Sequence, residues 1–253
     1  MEINRTRTLF CDLLGLPKGK YVPPDLAKSG HIGFAKGAFA TTFDRDLLTV
    51  PGTGVYDGLP DMDLFLENKR FKSWQENTEI ALGVLKKNNI PFDLCSRSLL
   101  IKTIDDLDKI DLKAKVGIEY EAYVFEQDDD GVWSPYNTPG AFVYGTGPSN
   151  DPKNLIAKIW DTAYQIGIPI ESINGEYDNG QFELTLSFDD ALIACDNSFL
   201  FKIMAKEIAL NEGLILSFMP KPIPDRGGSG LHINFSLEDK TNSNIIAPDG
   251  KLS

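Results

Sequence analysis

The stretch Val116-Gly-Ile-Glu-Tyr-Glu-Ala-Tyr-Val-Phe125 carries the strongest β-strand pattern in this chain of 253 residues. β-Branched and aromatic residues dominate it, and an acidic turn, Asp128-Asp-Asp-Gly131, follows. Because successive side chains of a strand point to opposite faces, Glu119 and Glu121 share one face at a spacing of about 7 Å. Because it carries two negative charges, this face must be solvated by water or neutralised by cations.

A second acidic strand pattern lies further along the chain, in Gly180-Gln-Phe-Glu-Leu-Thr-Leu186. Its polar residues Gln181, Glu183 and Thr185 share one face, and its apolar residues share the other. Glu176 lies shortly before this strand. Carboxylates are thus concentrated on the faces of two predicted strands.

A third strand, after a glycine-rich turn, places His232 on one face with Asn234 and Ser236. A histidine on a strand is often a core or surface residue, and an acidic strand face is often simply solvated. Four carboxylates and one imidazole in one domain, however, form a suitable ligand set for Mg²⁺ or Mn²⁺. Paired divalent ions are suited to phosphoryl transfer.

Other catalytic arrangements have little support. The turn Gly227-Gly-Ser-Gly230 lacks the Lys-Ser/Thr of a Walker A motif and opens no predicted helix. Only His31 and His232 are available for a Ser-His-Asp triad. If ATP binds, metals and a strand-lined cleft must hold it.

The composition limits the partners and the compartment. A net charge of -12, from 25 basic and 37 acidic residues, argues against binding nucleic acid or an anionic membrane. No apolar run approaches the roughly 20 residues of a membrane span, and no signal peptide is evident. The cysteines Cys11, Cys95 and Cys195 are sparse and widely spaced, which indicates reduced thiols. We expect a cytoplasmic protein.

The pattern of the remaining chain predicts a mixed α+β fold with a curved sheet. Residues 1–70 predict short strands separated by turns, including one over 38–43, and residues 72–89 and 104–112 predict helices. Further along, the pattern predicts a helix over 154–166, strands over 168–173 and 180–188, a helix over 189–212, and strands over 214–219 and 231–237. A domain boundary is expected between residues 90 and 112.

These motifs, in this order, resemble those of the glutamine synthetase family. The matching segments are Gly117-Ile-Glu-Tyr-Glu121, Glu171 followed by Gly175-Glu176, Gly180-Gln-Phe-Glu183, Phe218-Met-Pro-Lys-Pro222 and Gly228-Ser-Gly-Leu-His232. The resemblance implies an N-terminal β-grasp domain over residues 1–105. It also implies that residues 106–253 are the first part of a catalytic domain with a curved antiparallel sheet and flanking helices.

The resemblance assigns two sets of metal ligands. Glu121, Glu176 and Glu183 match the carboxylates that hold the metal near glutamate and ammonia. Glu119 and His232 match ligands of the metal that bridges the ATP phosphates. It implies two or three Mg²⁺ or Mn²⁺ ions per site, with ATP as a substrate.

The resemblance also assigns binding residues. Glu171, Phe188 and Ser236 match nucleotide contacts, with Phe188 near the adenine. Gly228 matches a glycine in the loop that lines the glutamate site.

The N-terminal part resembles the family more loosely, through Phe10-Cys-Asp-Leu13 and Asp61-Met-Asp-Leu64. Asp61, with Asp63 as the other candidate, matches the acid that helps to deprotonate ammonium in a neighbouring subunit's active site. The resemblance therefore implies a homo-oligomeric ring with active sites between subunits.

Three features depart from the family pattern. The chain ends at Ser253, so we expect the family's later segment, with a third ligand of the phosphate-bridging metal and the arginines that bind glutamate and phosphate, to be absent. Asn174-Gly175-Glu176 replaces the common His-His-Glu, and Asn234 replaces a nucleotide-contacting histidine. Arg226 cannot replace the missing arginines.

The implied activity is ATP-dependent ligation of an amine, ammonia first, to the γ-carboxylate of glutamate through a γ-glutamyl phosphate. Two alternatives stay open. One is a γ-glutamylpolyamine or γ-glutamylputrescine synthetase, and the other is an inactive relative with a structural or regulatory role.

Overall fold

Two sheets, one in each half of the chain, organise the protein. The computed structural model describes residues 2–42, 44–140 and 142–245. The chain divides into a first unit, Met1–Asp105, and a second unit, Asp106–Ser253. Both units combine a sheet with few helices, which confirms the predicted α+β class.

The first unit is built on a mixed sheet. Its elements in chain order are β1 (Arg5–Cys11), β2 (Pro17–Val22), α1 (Pro24–Lys28), β3 (His31–Ala35), 3₁₀ turns at Lys36–Phe39 and Val55–Asp57, β4 (Asp61–Leu66), β5 (Phe71–Lys72), β6 (Thr78–Lys87), β7 (Ile90–Pro91) and α2 (Ser96–Asp108), which extends past Asp105. The main strand order is β2-β1-β6-β4-β3. β1 runs parallel to β6, and the other pairs are antiparallel.

Three predictions in this unit are wrong in type or position. Residues 72–89 form β5 and β6 rather than a helix, because β6 lies at the centre of the sheet and Ile80 to Leu85 are nearly all buried. A strand covered on both faces reads as a continuous apolar run, which also satisfies a helical spacing. The segment 38–43 was predicted as a strand, but its first two residues are the end of the 3₁₀ turn Lys36–Phe39. Phe43 lies outside the described residues. The helix predicted over 104–112 begins earlier, at Ser96.

The second unit is built around one long strand. Its elements are β8 (Lys113–Gln127), β9 (Trp133–Pro135), α3 (Leu155–Ile166), β10 (Ile170–Gly175), β11 (Gln181–Asp190), α4 (Ala191–Asn211), β12 (Leu214–Ser217) and β13 (Leu231–Glu238). These elements confirm the strands and helices predicted downstream of residue 113.

β8 pairs along both of its edges, and every pair is antiparallel. β11 and then β9 occupy one edge, while β13 and then β12 occupy the other. β10 extends the sheet beyond β11. Five residues of β8 therefore have a partner on both sides: Lys115, Val116, Ile118, Glu119 and Tyr120.

The sheet of the second unit has an apolar back face and a polar front face. On the back, Ile118, Tyr120 and Leu184 are buried. Helix α4 covers this face, where Tyr120 stacks on Phe201 at 6.4 Å between ring centroids and its hydroxyl hydrogen-bonds to Ser198. Burial of this face fixes the strands, so the side chains of the front face are held at set positions.

We predict that Gly180→Ala destabilises the protein more than Gly213→Ala. Both glycines have a positive φ, at 75° and 71°, which costs an alanine about 1–2 kcal/mol. Only at Gly180 would the new Cβ lie 2.9 Å from the Val124 carbonyl oxygen and from the Tyr136 amide nitrogen, whereas nothing lies within 4 Å at Gly213. Urea unfolding of both variants measures the difference, and equal losses would contradict the packing assigned to the start of β11.

Candidate functional site

The pairing of three strands brings four of the predicted metal ligands together. Glu121 of β8 lies directly opposite Glu183 of β11. Glu119 lies opposite His232 of β13 on the other edge. Directly paired residues share a face with Cβ atoms about 5 Å apart, so all four side chains meet on the front of the sheet.

The fifth residue, Glu176, reaches the same place from a turn. It follows Gly175, the last residue of β10, and its N–H donates to the Gln181 carbonyl oxygen at 2.9 Å. That bond closes the turn between β10 and β11 and sets Glu176 beside Glu183.

The five side chains form two overlapping groups. Glu119, Glu183 and His232 form one, and Glu121, Glu176 and Glu183 form the other, with ligand atoms within 4.8 Å of one another in each. Ligands of one Mg²⁺ at 2.0–2.1 Å lie up to about 4 Å apart, so the spread of each group is near the span of one small divalent cation. Glu183 belongs to both groups.

Burial and the charges of neighbouring carboxylates raise the pKa values of two residues of the site, Glu183 and Glu176. Burial, followed by the charges of Glu176, Glu119 and Glu121, raises the pKa of Glu183. Burial and the charge of Glu121 likewise raise the pKa of Glu176. A divalent cation would favour the charged form of both groups, so the donor set fits a metal.

Side-chain amides hold the carboxylates in place. Glu119 accepts hydrogen bonds from Asn234 Nδ2 at 2.8 Å, and its other oxygen lies 3.1 Å from His232 Nδ1. Gln181 Nε2 donates to Glu121 at 3.3 Å and to the carbonyl oxygen of Gly228 at 2.9 Å. Such second partners orient metal ligands. The strand pattern placed Gln181 on this face but gave it no role.

The glycine-rich loop approaches the groups closely. A Cβ at Gly230 would lie 2.7 Å from Glu121 Oε1 and 3.1 Å from His232 Nε2. Only glycine leaves this space to the ligand atoms. Gly228, the predicted glutamate-site residue, lies in the same loop and is tied to Glu121 through Gln181.

A polar contact that sequence reasoning missed anchors this loop. The Tyr123 hydroxyl donates to Asp178 Oδ2 at 2.7 Å, and the Gly227 N–H donates to the same carboxylate. The Tyr123 hydroxyl, then the Gly227 N–H and Arg226, lower the pKa of Asp178 against the opposing effect of burial. Residues 123, 178 and 227 are far apart in sequence, so no local pattern could reveal the contact.

A cleft on the same face brings the predicted nucleotide residues together. It has a volume of about 380 Å³, and Glu171, Phe188 and Ser236 line it together with Glu119 and Lys115. Phe188 is 68% exposed and presents its ring to the cleft. Glu119 belongs both to the cleft and to a metal group, so the cleft adjoins that group.

Asp61 belongs to the chain's first unit. It begins β4, pairs with Ala35 and is exposed, while Asp63 pairs with Gly33 and is partly buried. The acidic run after β8 is a turn: Asp128 Oδ1 accepts from the N–H groups of Asp130 and Val132. Among the described residues, none of the acids of that run belongs to a metal-binding group.

Comparison with known proteins gives the family. The family model described as "Glutamine synthetase, catalytic domain" matches residues 93–253, which is more than half of the chain. The chain belongs to the glutamine synthetase family. The motifs that define the two ligand groups all lie within this match, so the predicted resemblance is confirmed.

Individual relatives agree with the family match. The glutamine synthetase of Pyrococcus horikoshii is 28% identical over 100% of this chain and 54% of its own length. The glutamate–isopropylamine ligase of a Pseudomonas species is 28% identical over 77% of the chain and 44% of its own length. One of these relatives is thus named as a synthetase and the other as a ligase.

A solved structure described as apo GmaS without ligand superposes with a TM-score of 0.83 at 25% identity, over 99% of this chain and 58% of its own. The chain thus spans about half the length of the curated relatives it matches. Among the described residues, no helix combines the length and apolar character that a membrane span needs.

We predict that Glu183→Gln removes most of the stabilisation by Mn²⁺, because this carboxylate serves both groups. A cation at 100 times its Kd stabilises a protein by about 2.7 kcal/mol, or roughly 5–10 °C in Tm at this size. Glu119→Gln and Glu121→Gln each affect one group and should retain more of the shift. Thermal unfolding with and without Mn²⁺ measures the effect, with Asp129→Asn in the acidic turn as the control. A full shift in Glu183→Gln would remove this residue from the ligands.

Proposed function

We propose that this chain carries the metal and nucleotide site of a ligase that joins an amine to the γ-carboxylate of glutamate at the expense of ATP. The observation that carries the proposal is the sharing of Glu183 by two ligand groups beside a cleft. Two adjacent divalent ions next to a nucleotide cleft are suited to phosphoryl transfer between ATP and a carboxylate.

Each ligand group has its own task in this proposal. Glu121, Glu176 and Glu183 would hold the ion on the glutamate side, and Glu119 and His232, with Glu183 between the groups, would hold the ion on the phosphate side. These ions, Mg²⁺ or Mn²⁺, would neutralise charge on the ATP phosphates and on the transferring phosphoryl group. The resemblance to the family also allows a third ion in the site.

The cleft supplies the nucleotide contacts. The exposed ring of Phe188 offers a stacking surface for the adenine, and Glu171 and Ser236 offer hydrogen-bonding groups at the rim. Since Glu119 lines both the cleft and a metal group, a nucleotide bound there would extend its phosphates toward the ions.

The proposed reaction has two steps. A γ-carboxylate oxygen of glutamate attacks the terminal phosphorus of ATP, and the bond to the bridging oxygen breaks to release ADP. The cationic amine then gives up a proton, for which Asp61 of a neighbouring subunit would be the acceptor. The neutral nitrogen attacks the γ-carbonyl carbon of the γ-glutamyl phosphate, and the C–O bond to phosphate breaks. Gly228, through its loop, would line the glutamate site.

Ammonia is our first proposal for the amine. A larger amine, as in a γ-glutamylpolyamine or γ-glutamylputrescine synthetase, is the second candidate, because Asn174-Gly175 replaces two bulky histidines beside Glu176. One relative is named as a glutamate–isopropylamine ligase, which supports the use of amines larger than ammonia within the family. An inactive structural or regulatory relative is the third candidate.

The two units suggest the assembly. We propose that the first unit corresponds to the β-grasp domain and that Asp61 acts on the amine in a neighbouring subunit of a homo-oligomeric ring. We also propose a cytoplasmic location, in which the three cysteines would be reduced thiols.

We predict that Phe188→Ala weakens ADP binding about tenfold, because a stacked base contributes roughly 1–3 kcal/mol. Isothermal titration calorimetry with ADP and Mg²⁺ measures the affinity. Tyr164→Ala, which removes an even more exposed ring from α3, is the control and should bind ADP normally. Unchanged affinity in Phe188→Ala would contradict the nucleotide assignment.

The proposed activity predicts ADP formation that requires both glutamate and an amine. ADP release is measured with ATP, Mg²⁺ and glutamate, and ammonia, putrescine and ethanolamine are tested in turn. The amine with the highest kcat/KM identifies the acceptor, and Asp61→Asn should lower turnover while ADP binding is retained. ADP binding without turnover on any amine would favour the inactive relative.

A further inference from the structure

The backbone of Gly227 is held by two side chains, one from β8 and one from the turn between β10 and β11. The Tyr123 hydroxyl donates to the Gly227 carbonyl oxygen at 3.0 Å and to Asp178 Oδ2 at 2.7 Å. The same carboxylate oxygen accepts the Gly227 N–H. We call this closed set of hydrogen bonds, formed by Tyr123, Asp178 and Gly227, the clamp.

The clamp is shielded from solvent. Tyr123 is fully buried, and the side chain of Asp178 is 17% exposed. A Cβ at Gly227 would lie 2.8 Å from Asp178 Oδ2, so the carboxylate packs directly on the backbone of the loop. Because buried polar groups need hydrogen-bond partners, removal of one member weakens the hold on the other two.

The clamp joins two ligand-bearing segments to the glycine-rich loop. Tyr123 lies two residues after Glu121, on the same face of β8. Asp178 lies two residues after Glu176, in the turn that carries this ligand. Gly227 is the first residue of the glycine-rich turn, so the loop is fixed at the point where it meets both segments.

The loop has little freedom to move without disturbing the ligands. A Cβ at Gly230 would lie only 2.7 Å from Glu121 Oε1, and Gln181 ties the Gly228 carbonyl oxygen to the same carboxylate. In active sites, a displacement of about 1 Å can lower the rate by about 100-fold. The placement of this loop therefore bears directly on the geometry around Glu121.

Stability alone does not account for the clamp. Replacing both partners of a buried hydrogen bond by apolar groups of the same shape can be nearly neutral for folding. This chain instead places a carboxylate in a largely buried position, where its desolvation is costly. The clamp supplies what an apolar contact would not, a fixed direction for the backbone of the loop.

We propose that Tyr123 and Asp178 are positioning residues for the ion on the glutamate side. They hold the loop against the segments that carry Glu121 and Glu176, and among the described residues neither belongs to a ligand group. The inference rests on the proposed function, which assigns this ion to Glu121, Glu176 and Glu183. Loss of the clamp should weaken this ion selectively, whereas a purely structural clamp would change stability and leave both ions bound as before.

A second buried tyrosine provides a matched control. Tyr136 is also fully buried, and its hydroxyl donates to Asp151 Oδ1 at 3.1 Å and accepts the Lys153 N–H at 2.6 Å. Asp151 accepts the Leu155 N–H at the start of α3 and, among the described residues, belongs to neither ligand group. Tyr136→Phe therefore removes a comparable contact of the same unit and leaves the clamp unchanged.

Titration of Tyr123→Phe and Asp178→Asn with Mn²⁺, with the free ion measured by electron paramagnetic resonance, gives the Kd of each bound ion. We expect one Kd to rise about tenfold, as is typical when a group that orients a metal ligand is removed, and the other to stay unchanged. Tyr136→Phe should leave both values unchanged. In a Glu121→Gln background, which already lacks a ligand of the affected ion, Asp178→Asn should have no further effect on the remaining ion.

The outcomes separate this inference from the proposed function. Unchanged Kd values in both clamp variants, or an equal rise in Tyr136→Phe, would overturn the positioning role alone. A wild-type chain that binds no Mn²⁺ would overturn the proposed function and the positioning role with it.

A metal-free measurement tests the clamp itself. Trypsin cleaves after Arg226, directly before the clamped glycine, and proteolysis follows the population of the open loop. Tyr123→Phe leaves the ion pair of Arg226 with Asp178 at 3.5 Å in place, so faster cleavage there reports the lost hydroxyl. We expect cleavage about tenfold faster than in the wild type or Tyr136→Phe, the equivalent of one hydrogen bond. Equal cleavage of the three proteins would overturn the inference.

Discussion

The crowding of negative charge on the front of β8 is the constraint on which the rest of the second unit depends. Four carboxylates approach within a few ångströms, and two unit charges 4 Å apart repel by about 4 kcal/mol at an effective dielectric constant of 20. Burial raises the pKa values of Glu176 and Glu183, and the repulsion between the carboxylates raises them further. Without a cation the arrangement is unfavourable, so the fold must hold it against the tendency of the strands to separate.

The back of the same sheet provides that restraint. Tyr120 and Leu184 are buried beneath α4, and they alternate along their strands with the residues that carry the charge. Burial of one face thus fixes the position of the other. The amides of Gln181 and Asn234 then orient individual carboxylates, and the contact between Tyr123 and Asp178 fixes the glycine-rich loop above them.

The sequence predicted the faces of the second unit well because a strand has a period of two. Alternation alone placed Glu119 with Glu121, and His232 with Asn234. The register could not be predicted in the same way: Glu183 meets Glu121 only because of the pairing of β11 with β8, which includes an irregularity between Leu186 and Asp189. In the first unit, β6 was predicted as a helix because a strand buried on both faces loses its alternation.

The remaining features have no local signal at all. The anchor between Tyr123 and Asp178 joins residues 55 positions apart, and Gly227, which it holds, lies a further 49 positions along the chain.

The most direct test of the account is electron paramagnetic resonance of Mn²⁺ bound to this chain. Two bound ions per chain should show a magnetic interaction with each other, and Glu183→Gln should abolish it. Isolated ions without interaction, or an interaction that persists in Glu183→Gln, would contradict a site in which Glu183 serves two metals.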